Sequence, residues 1–174
     1  MPCAACSAPT SRHAGHEPRG RRSGRRRSTV SPSADGGTVE RLAHVALAVR
    51  EADPVATLLE RSLGATRGAE ELVDGGRLRL LFLHLGPVTL ELLEPKSADH
   101  TVARFLEAKG PGIHHLSLEV SDIEAALARC RAAGVRPIDA VPRPGAHGAQ
   151  VAFLDPKSLF GVLIELCQTP ARSA

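Results

Sequence analysis

The sequence predicts an α+β fold built from two paired copies of one β-α-β-β-β module. Two segments are nearly the same, His44-Val-Ala-Leu-Ala-Val49 and His115-Leu-Ser-Leu-Glu-Val120, and each begins with a histidine. Each leads into a helix-like stretch of similar length, which ends at Gly64 in the first copy and at Gly134 in the second. An internal repeat of this size is typical of a duplicated structural unit.

The second observation is a single glutamate at a matching place in each copy. Glu91 lies in Val88-Thr-Leu-Glu-Leu-Leu93, and Glu165 lies in Gly161-Val-Leu-Ile-Glu-Leu166. The two glutamates follow their histidines at similar intervals. A buried carboxylate without a partner is costly, so a glutamate inside an apolar run indicates a specific role.

The first copy is predicted to contain a strand, a helix and further strands. Its helix begins at Asp53-Pro54, because proline in the first turn gives up an N–H that has no helical partner. The helix ends before Gly64. Strands are predicted over 42–49, 77–85 and 88–93.

The second copy repeats this plan after a connecting helix predicted around 101–108. Ser121 is predicted to cap its helix, with Glu124 three residues later completing a capping box. Gly134 ends this helix. Strands are predicted over 115–120 and at about 136–141, 149–154 and 161–167.

Composition divides the chain of 174 residues into a basic extension and a globular domain. Residues 1–38 are rich in Arg, Ser, Pro, Gly and Ala without apolar periodicity, so we expect them to be disordered. The predicted domain spans 39–170, with modules at about 40–95 and 111–169. The formal net charge of +3 comes from the extension, since the remainder is mildly acidic.

These features exclude several classes of partner. The chain has no Trp or Tyr, and its positive charge is confined to the extension, so we expect no nucleic-acid partner. No apolar run is long enough to cross a bilayer, so we expect no membrane partner. The four cysteines follow no secretory signal, which favours reduced thiols in the cytoplasm.

The role of the basic extension stays open between three explanations. It is an organelle transit peptide, which would place the protein in the mitochondrial matrix, a dispensable bacterial extension, or the result of a start codon chosen too far upstream. Within it, Cys3, Cys6, His13 and His16 superficially offer four zinc ligands. We expect no zinc site there, because the spacing is short and no apolar residues surround it.

The repeated histidines and glutamates predict a metal site made by His44, Glu91, His115 and Glu165. Imidazole nitrogen and carboxylate oxygen bind divalent first-row metals well. Aligning the two repeated strands selects His115 rather than His114 as the second histidine. The remaining histidines of the domain have no counterpart in the other copy and are predicted to lie on the surface: His84, His100 and His147.

At these residues the chain resembles the vicinal oxygen chelate superfamily, which includes glyoxalases, bleomycin resistance proteins and dioxygenases, and within it the methylmalonyl-CoA epimerases. The resemblance covers about residues 40–169. The most specific motifs are Glu91-Leu-Leu-Glu-Pro95, Gly112-Ile-His-His-Leu-Ser-Leu-Glu-Val120, Gly145-Ala-His-Gly148, and Phe153-Leu-Asp-Pro-Lys-Ser158 running into Gly161-Val-Leu-Ile-Glu-Leu166.

The resemblance implies an incomplete barrel around a divalent metal, with Co²⁺ preferred and Zn²⁺, Mn²⁺, Ni²⁺ or Mg²⁺ also accepted. It implies an acyl-CoA substrate, epimerisation at C2 of methylmalonyl-CoA with Glu165 as one acid–base group, and a homodimer. A second carboxylate used by some members would fall near 78–82, where this chain reads Leu78-Arg-Leu-Leu-Phe82 and has no acid. Glu70, Glu71 and Asp74 lie nearby in sequence.

Two other functions fit the same residues. A glyoxalase-like lyase or isomerase would use the same four ligands. A small-molecule-binding protein of the resistance type would have the same fold, but such relatives generally lack the metal ligands.

Overall fold

The computed structural model of the protein describes residues 37–170. They form eight strands and three helices, joined in places by short 3-10 turns. In chain order the elements are β1 (Val39–Ala48), α1 (Ala52–Leu63), β2 (Thr66–Val73), β3 (Leu78–Leu85), β4 (Val88–Pro95), α2 (Thr101–Lys109), β5 (Gly112–Val120), α3 (Ile123–Ala132), β6 (Arg143–Pro144), β7 (Gln150–Leu154) and β8 (Ile164–Gln168).

All eight strands belong to one curled sheet in the order β2-β3-β4-β1-β5-β8-β7-β6. The two copies of the module meet where β1 pairs antiparallel with β5. Within each copy the first strand pairs in parallel with the last, β1 with β4 and β5 with β8. The predicted fold of two paired β-α-β-β-β modules is confirmed by this topology.

Helices cover both copies of the module. Ala52 and Ala56 of α1 pack with Leu81, Leu83 and Leu92 of the first copy. The corresponding cluster in the second copy joins α3 to β5, β7 and β8 and consists of Val120, Ile123, Ala126, Leu127, Ala152, Leu154 and Leu166. Full burial of a leucine contributes about 1.5–3 kcal/mol, so these clusters hold each helix on the sheet. None of the helices in the 37–170 region is long and apolar enough to span a membrane.

Two strand predictions differ from the structure. β2 was not predicted because its sequence, Thr66–Val73, is mostly polar and exposed, as an edge strand can be. The predicted strand over 136–141 is wrong. Pro137 and Leu154 form only an isolated β-bridge. The Phe153 N–H donates a hydrogen bond to the Asp139 carboxylate at 2.7 Å instead of to a backbone carbonyl. The paired strand begins at Arg143.

The predicted capping box of α3 is also wrong. Asp122 caps the helix, with its Oδ1 accepting the Ala125 N–H at 2.9 Å. The hydroxyl of Ser121 instead accepts the Gly37 N–H at 3.1 Å, which ties the start of the described chain to the end of β5. The prediction for α1 is confirmed, since Gly64 ends it in the left-handed conformation with φ 68°.

Candidate metal centre

The centre of the curled sheet brings the four predicted ligands onto one face. They stand on neighbouring strands, His44 on β1, Glu91 on β4, His115 on β5 and Glu165 on β8. Ala46 of β1 lies opposite both Glu91 and His115. Ser117 of β5 lies opposite both His44 and Glu165. Because opposite residues and residues two apart share a face, the register of these strands makes the four side chains converge.

Each histidine faces both carboxylates. The Nε2 atom of His44 lies 3.2 Å from Oε2 of Glu91 and 3.5 Å from Oε2 of Glu165. The Nε2 atom of His115 lies 3.9 Å and 3.8 Å from the same two oxygens. Candidate ligand atoms of His44, His115 and Glu165 all lie within 4.8 Å of one another.

The donor atoms fit a divalent cation. The Nε2 atoms of His44 and His115 are buried and make no hydrogen bond within the described part of the chain. A buried polar atom without a partner is costly, and here two such atoms point toward two carboxylate oxygens. Two imidazoles and two carboxylates neutralise and coordinate a divalent first-row metal well. The residues that would hold it are His44, Glu91, His115 and Glu165.

The electrostatics of the site agree with this assignment. Burial raises the pKa of Glu165, but contacts with His115 and Ser117 and the charge of His44 outweigh it, so the pKa lies below its usual value. Burial lowers the pKa of His44, but the close contact with the Glu91 carboxylate and the charge of Glu165 raise it overall. Glu165 is therefore ionised at neutral pH, and the site attracts positive charge.

Two phenylalanines hold the histidine rings in place. Phe82 of β3 meets the His44 ring edge-on at 6.2 Å between centroids, and Phe153 of β7 meets the His115 ring at 5.1 Å. The guanidinium of Arg143 lies 5.3 Å from the Phe153 centroid. The site is thus bordered by apolar rings on both sides and by one cation on the side of the second copy.

The remaining histidines only partly match the predictions. His84 is exposed, as expected. His100 is buried instead of lying on the surface, because its Nδ1 caps α2 by accepting the Val102 N–H and its Nε2 lies 3.0 Å from the Asp74 carboxylate. His114 packs its ring against Phe105 of α2 at 4.9 Å.

His147 was also predicted to lie on the surface, and the structure gives it specific partners. Its side chain is 49% exposed, but the ring stacks at a tilt on Phe82 with centroids 4.8 Å apart. Its Nδ1 forms an ion-pair contact with the Glu71 carboxylate. Nothing in the sequence links these two residues, because they lie 76 positions apart in different copies of the module.

No acid takes the place of the second carboxylate on β3. Leu78, Leu80 and Phe82 project into the apolar cluster that β3 shares with α2, and Arg79 points the other way. Of the nearby acids, Glu70 pairs with Arg79, and Asp74 pairs with His100. Glu71 pairs with His147.

Comparisons with known proteins agree with this fold. A sequence profile of the Glyoxalase/Bleomycin resistance protein/Dioxygenase superfamily matches residues 43–153. The chain is 41% identical over 133 residues to the ethylmalonyl-CoA/methylmalonyl-CoA epimerase of Cereibacter sphaeroides, which covers 75% of this chain and 98% of that protein.

Solved structures of epimerases are similar as well. The crystal structure of methylmalonyl-CoA epimerase from Mycobacterium tuberculosis superimposes with a TM-score of 0.73 at 32% identity, over 77% of this chain and 91% of that one. The structure of a methylmalonyl-CoA epimerase in complex with methylmalonyl-CoA and ammonium superimposes with a TM-score of 0.72 at 29% identity. The match covers 79% of this chain and 99% of that one. The protein therefore belongs to the glyoxalase/bleomycin resistance protein/dioxygenase superfamily, and its relatives there include methylmalonyl-CoA epimerases.

Proposed function

We propose that the protein is a metal-dependent epimerase that interconverts the (R) and (S) forms of methylmalonyl-CoA. The observation that carries the proposal is the pair of buried Nε2 atoms on His44 and His115, which have no hydrogen-bond partner among residues 37–170 and face the carboxylates of Glu91 and Glu165. The likeness to epimerases over most of the chain supports the choice of substrate.

The ion we propose at this site is Co²⁺, with Zn²⁺, Mn²⁺, Ni²⁺ and Mg²⁺ as alternatives for reconstitution. When bound, a divalent ion supplies a Lewis acid that stabilises negative charge developing on the oxygens of the substrate. The described residues contribute four ligand side chains, so positions in a five- or six-coordinate ion stay open to substrate.

Glu165 is the residue we assign to proton transfer on one face of the substrate. The hydrogen at C2 lies between a thioester and a carboxylate, so its removal gives an enolate. The lowered pKa of Glu165 keeps its carboxylate ionised and able to accept that proton. Its Oε2 makes the contacts with His44 and His115, and we assign the other oxygen to the proton of the substrate.

A homodimer that acts on an acyl-CoA completes the proposal, on the strength of the family resemblance. Light scattering coupled to size-exclusion chromatography tests the oligomeric state directly. A monomer at micromolar concentration would remove this part of the proposal without affecting the chemistry.

The decisive experiment follows C2 deuterium exchange of methylmalonyl-CoA in D₂O by NMR. We expect exchange with Co²⁺-loaded protein and none above the blank with chelator-treated protein. Glu165→Ala should lower the rate by about 10²–10⁴-fold, since general acid–base groups contribute about that much. Glu124→Ala, an exposed glutamate on α3, is the matched control and should retain the wild-type rate. Metal-loaded wild type without exchange would overturn the proposal.

The same preparations separate the alternative functions. Turnover of a hemithioacetal without turnover of acyl-CoA would favour the glyoxalase-like reaction. Ligand binding with no stoichiometric metal after purification and reloading would favour a binding protein of the resistance type.

A further inference from the structure

A glutamate and a histidine join two distant parts of the sheet beside the metal centre. His147 lies in the turn Ala146–Gly148 between β6 and β7, and Glu71 lies on β2. β2 and β6 are the two end strands of the sheet, so this contact crosses the opening of its curl. Ala146 packs beside it against the apolar cluster of the first copy.

Glu71 holds both the backbone and the ring of His147. Its two carboxylate oxygens accept the His147 N–H at 3.1 and 3.3 Å, and the same carboxylate contacts Nδ1 of the ring. His147 has φ 53°, a left-handed conformation that is uncommon for residues other than glycine. Since a carboxylate only accepts, Nδ1 carries a proton and Nε2 is the ring atom left for other chemistry.

This pair lies beside β3, whereas Glu165 stands on β8, on the other side of the two strands that carry His44 and His115. His147 stacks on Phe82 of β3, and Phe82 in turn meets the His44 ring. Glu165 stands on β8, so β4, β1 and β5 separate its strand from β3 in the sheet. The side chain of His147 is half exposed, so its ring is open to a substrate.

Epimerisation needs a second acid–base group on the face opposite the first. The side chains of β3 that face the curl are apolar, while Glu70 and Asp74 pair with Arg79 and His100. We propose that His147, positioned by Glu71, is this second acid–base group. The inference rests on the proposed epimerase function.

Glu165 takes the C2 proton from one face, the electron pair of the C–H bond moves into the enolate, and the His147 imidazolium gives its Nε2 proton to C2 on the other face. The products are the opposite epimer, a protonated Glu165 and a neutral His147. In the reverse direction neutral His147 removes the proton and Glu165 returns one.

The test is His147→Asn, followed separately with each epimer of methylmalonyl-CoA in D₂O. Asparagine keeps an N–H donor for Glu71 and tolerates the left-handed conformation, but it cannot exchange a proton with carbon. We expect interconversion to fall by about 10²–10⁴-fold. The epimer whose hydrogen faces Glu165 should still lose that hydrogen to solvent at a rate within a few-fold of wild type, whereas the other epimer should not. His84→Asn, an exposed histidine on β3, is the control.

Different results would contradict the role of His147 and the proposed epimerase function. Unchanged interconversion in His147→Asn would overturn the inference, and so would an equal loss of exchange with both epimers. Absence of exchange in metal-loaded wild type with either epimer would instead overturn the proposed function.

Variants of Glu71 test its positioning role independently. Glu71→Ala should reduce exchange of the same epimer that His147→Asn affects. Glu71→Gln should restore much of it, because the amide oxygen still accepts hydrogen bonds. Equal behaviour of the two Glu71 variants would contradict this role.

Discussion

The Nδ1 atoms of His114 and His115 lie 2.9 Å apart, so one ring donates a hydrogen bond to the other. Burial is the main cause that lowers the pKa of His114 to about 4. His114 is therefore neutral, and its Nδ1 can accept a hydrogen bond from the Nδ1–H of His115. That tautomer leaves Nε2 of His115 with a lone pair directed at the carboxylates, as a metal ligand requires.

Removing the acceptor on His114 should weaken metal binding. We expect His114→Phe, which keeps an aromatic ring against Phe105, to raise the Kd for Co²⁺ by about 10–100-fold, as losses of such supporting hydrogen bonds usually do. Competition with a chromophoric chelator measures the Kd, with exposed His84→Phe as the control. An unchanged Kd in His114→Phe would mean that another group sets the tautomer of His115.

Metal should stabilise the folded protein. A ligand that binds only the native state at 100 times its Kd adds about 2.7 kcal/mol to the free energy of unfolding. We expect Co²⁺ to raise the Tm of the chelator-treated wild type but to have little effect on Glu165→Gln, which keeps the volume of the side chain while removing its charge. Equal shifts in both proteins would place the stabilising ion elsewhere.

Core packing under α1 predicts a large loss of stability at Leu83. This leucine has no exposed surface and packs with α1, so Leu83→Ala should lower the free energy of unfolding by about 2–5 kcal/mol. Leu58→Ala removes a leucine of α1 that is 65% exposed and should change it by less than about 0.5 kcal/mol. Denaturant unfolding of both variants makes the comparison.

Arg79 should control how stability responds to acid. Its guanidinium pairs with Asp53, Glu70 and Glu94. Arg79 and Arg67 lower the pKa of Asp53 to about 2. The pKa values of Glu70 and Glu94 also lie below normal. Arg79 is the main cause for Glu70, while Lys96, the Ala52 N–H and Arg79 outweigh burial for Glu94.

The carboxyl groups of Asp53, Glu70 and Glu94 bind protons less readily in the folded protein than in the unfolded chain. Their contribution to the free energy of unfolding is therefore present above about pH 4.5 and is lost as the pH falls toward 2. Arg79→Met should make this decline shallower. Urea unfolding at several pH values measures the slope, and a slope equal to that of wild type would show that other groups govern acid sensitivity.

The amino-acid sequence alone was enough to predict the duplicated module and the four side chains at its centre. His44 and His115 open matching strands, and Glu91 and Glu165 occupy matching places later in each copy. A repeat is visible in one dimension, and strand pairing between equivalent copies brings equivalent positions together. The helix end at Gly64 was predictable for a similar reason, because the chemistry of a helix terminus is local.

Three other features could not be predicted from the local sequence, because they depend on contacts between residues that are distant in the chain. β2 is polar and forms a strand because β3 offers it an edge. Asp122 rather than Ser121 caps α3, and the Ser121 hydroxyl instead accepts the N–H of Gly37, a residue 84 positions away in the sequence. His100 is buried because Asp74 and α2 surround it.

The pairing of Glu71 with His147 is the clearest case in which tertiary structure decided the outcome. One residue lies on β2 and the other follows β6, so they stand at opposite ends of the strand order. Only the curl of the sheet brings these ends together beside Phe82, next to the candidate metal centre. The sequence repeat determined which histidines and glutamates lie at the middle of the sheet. The curvature of the sheet determined that Glu71 and His147 meet across its opening, because curvature depends on all eight strands together.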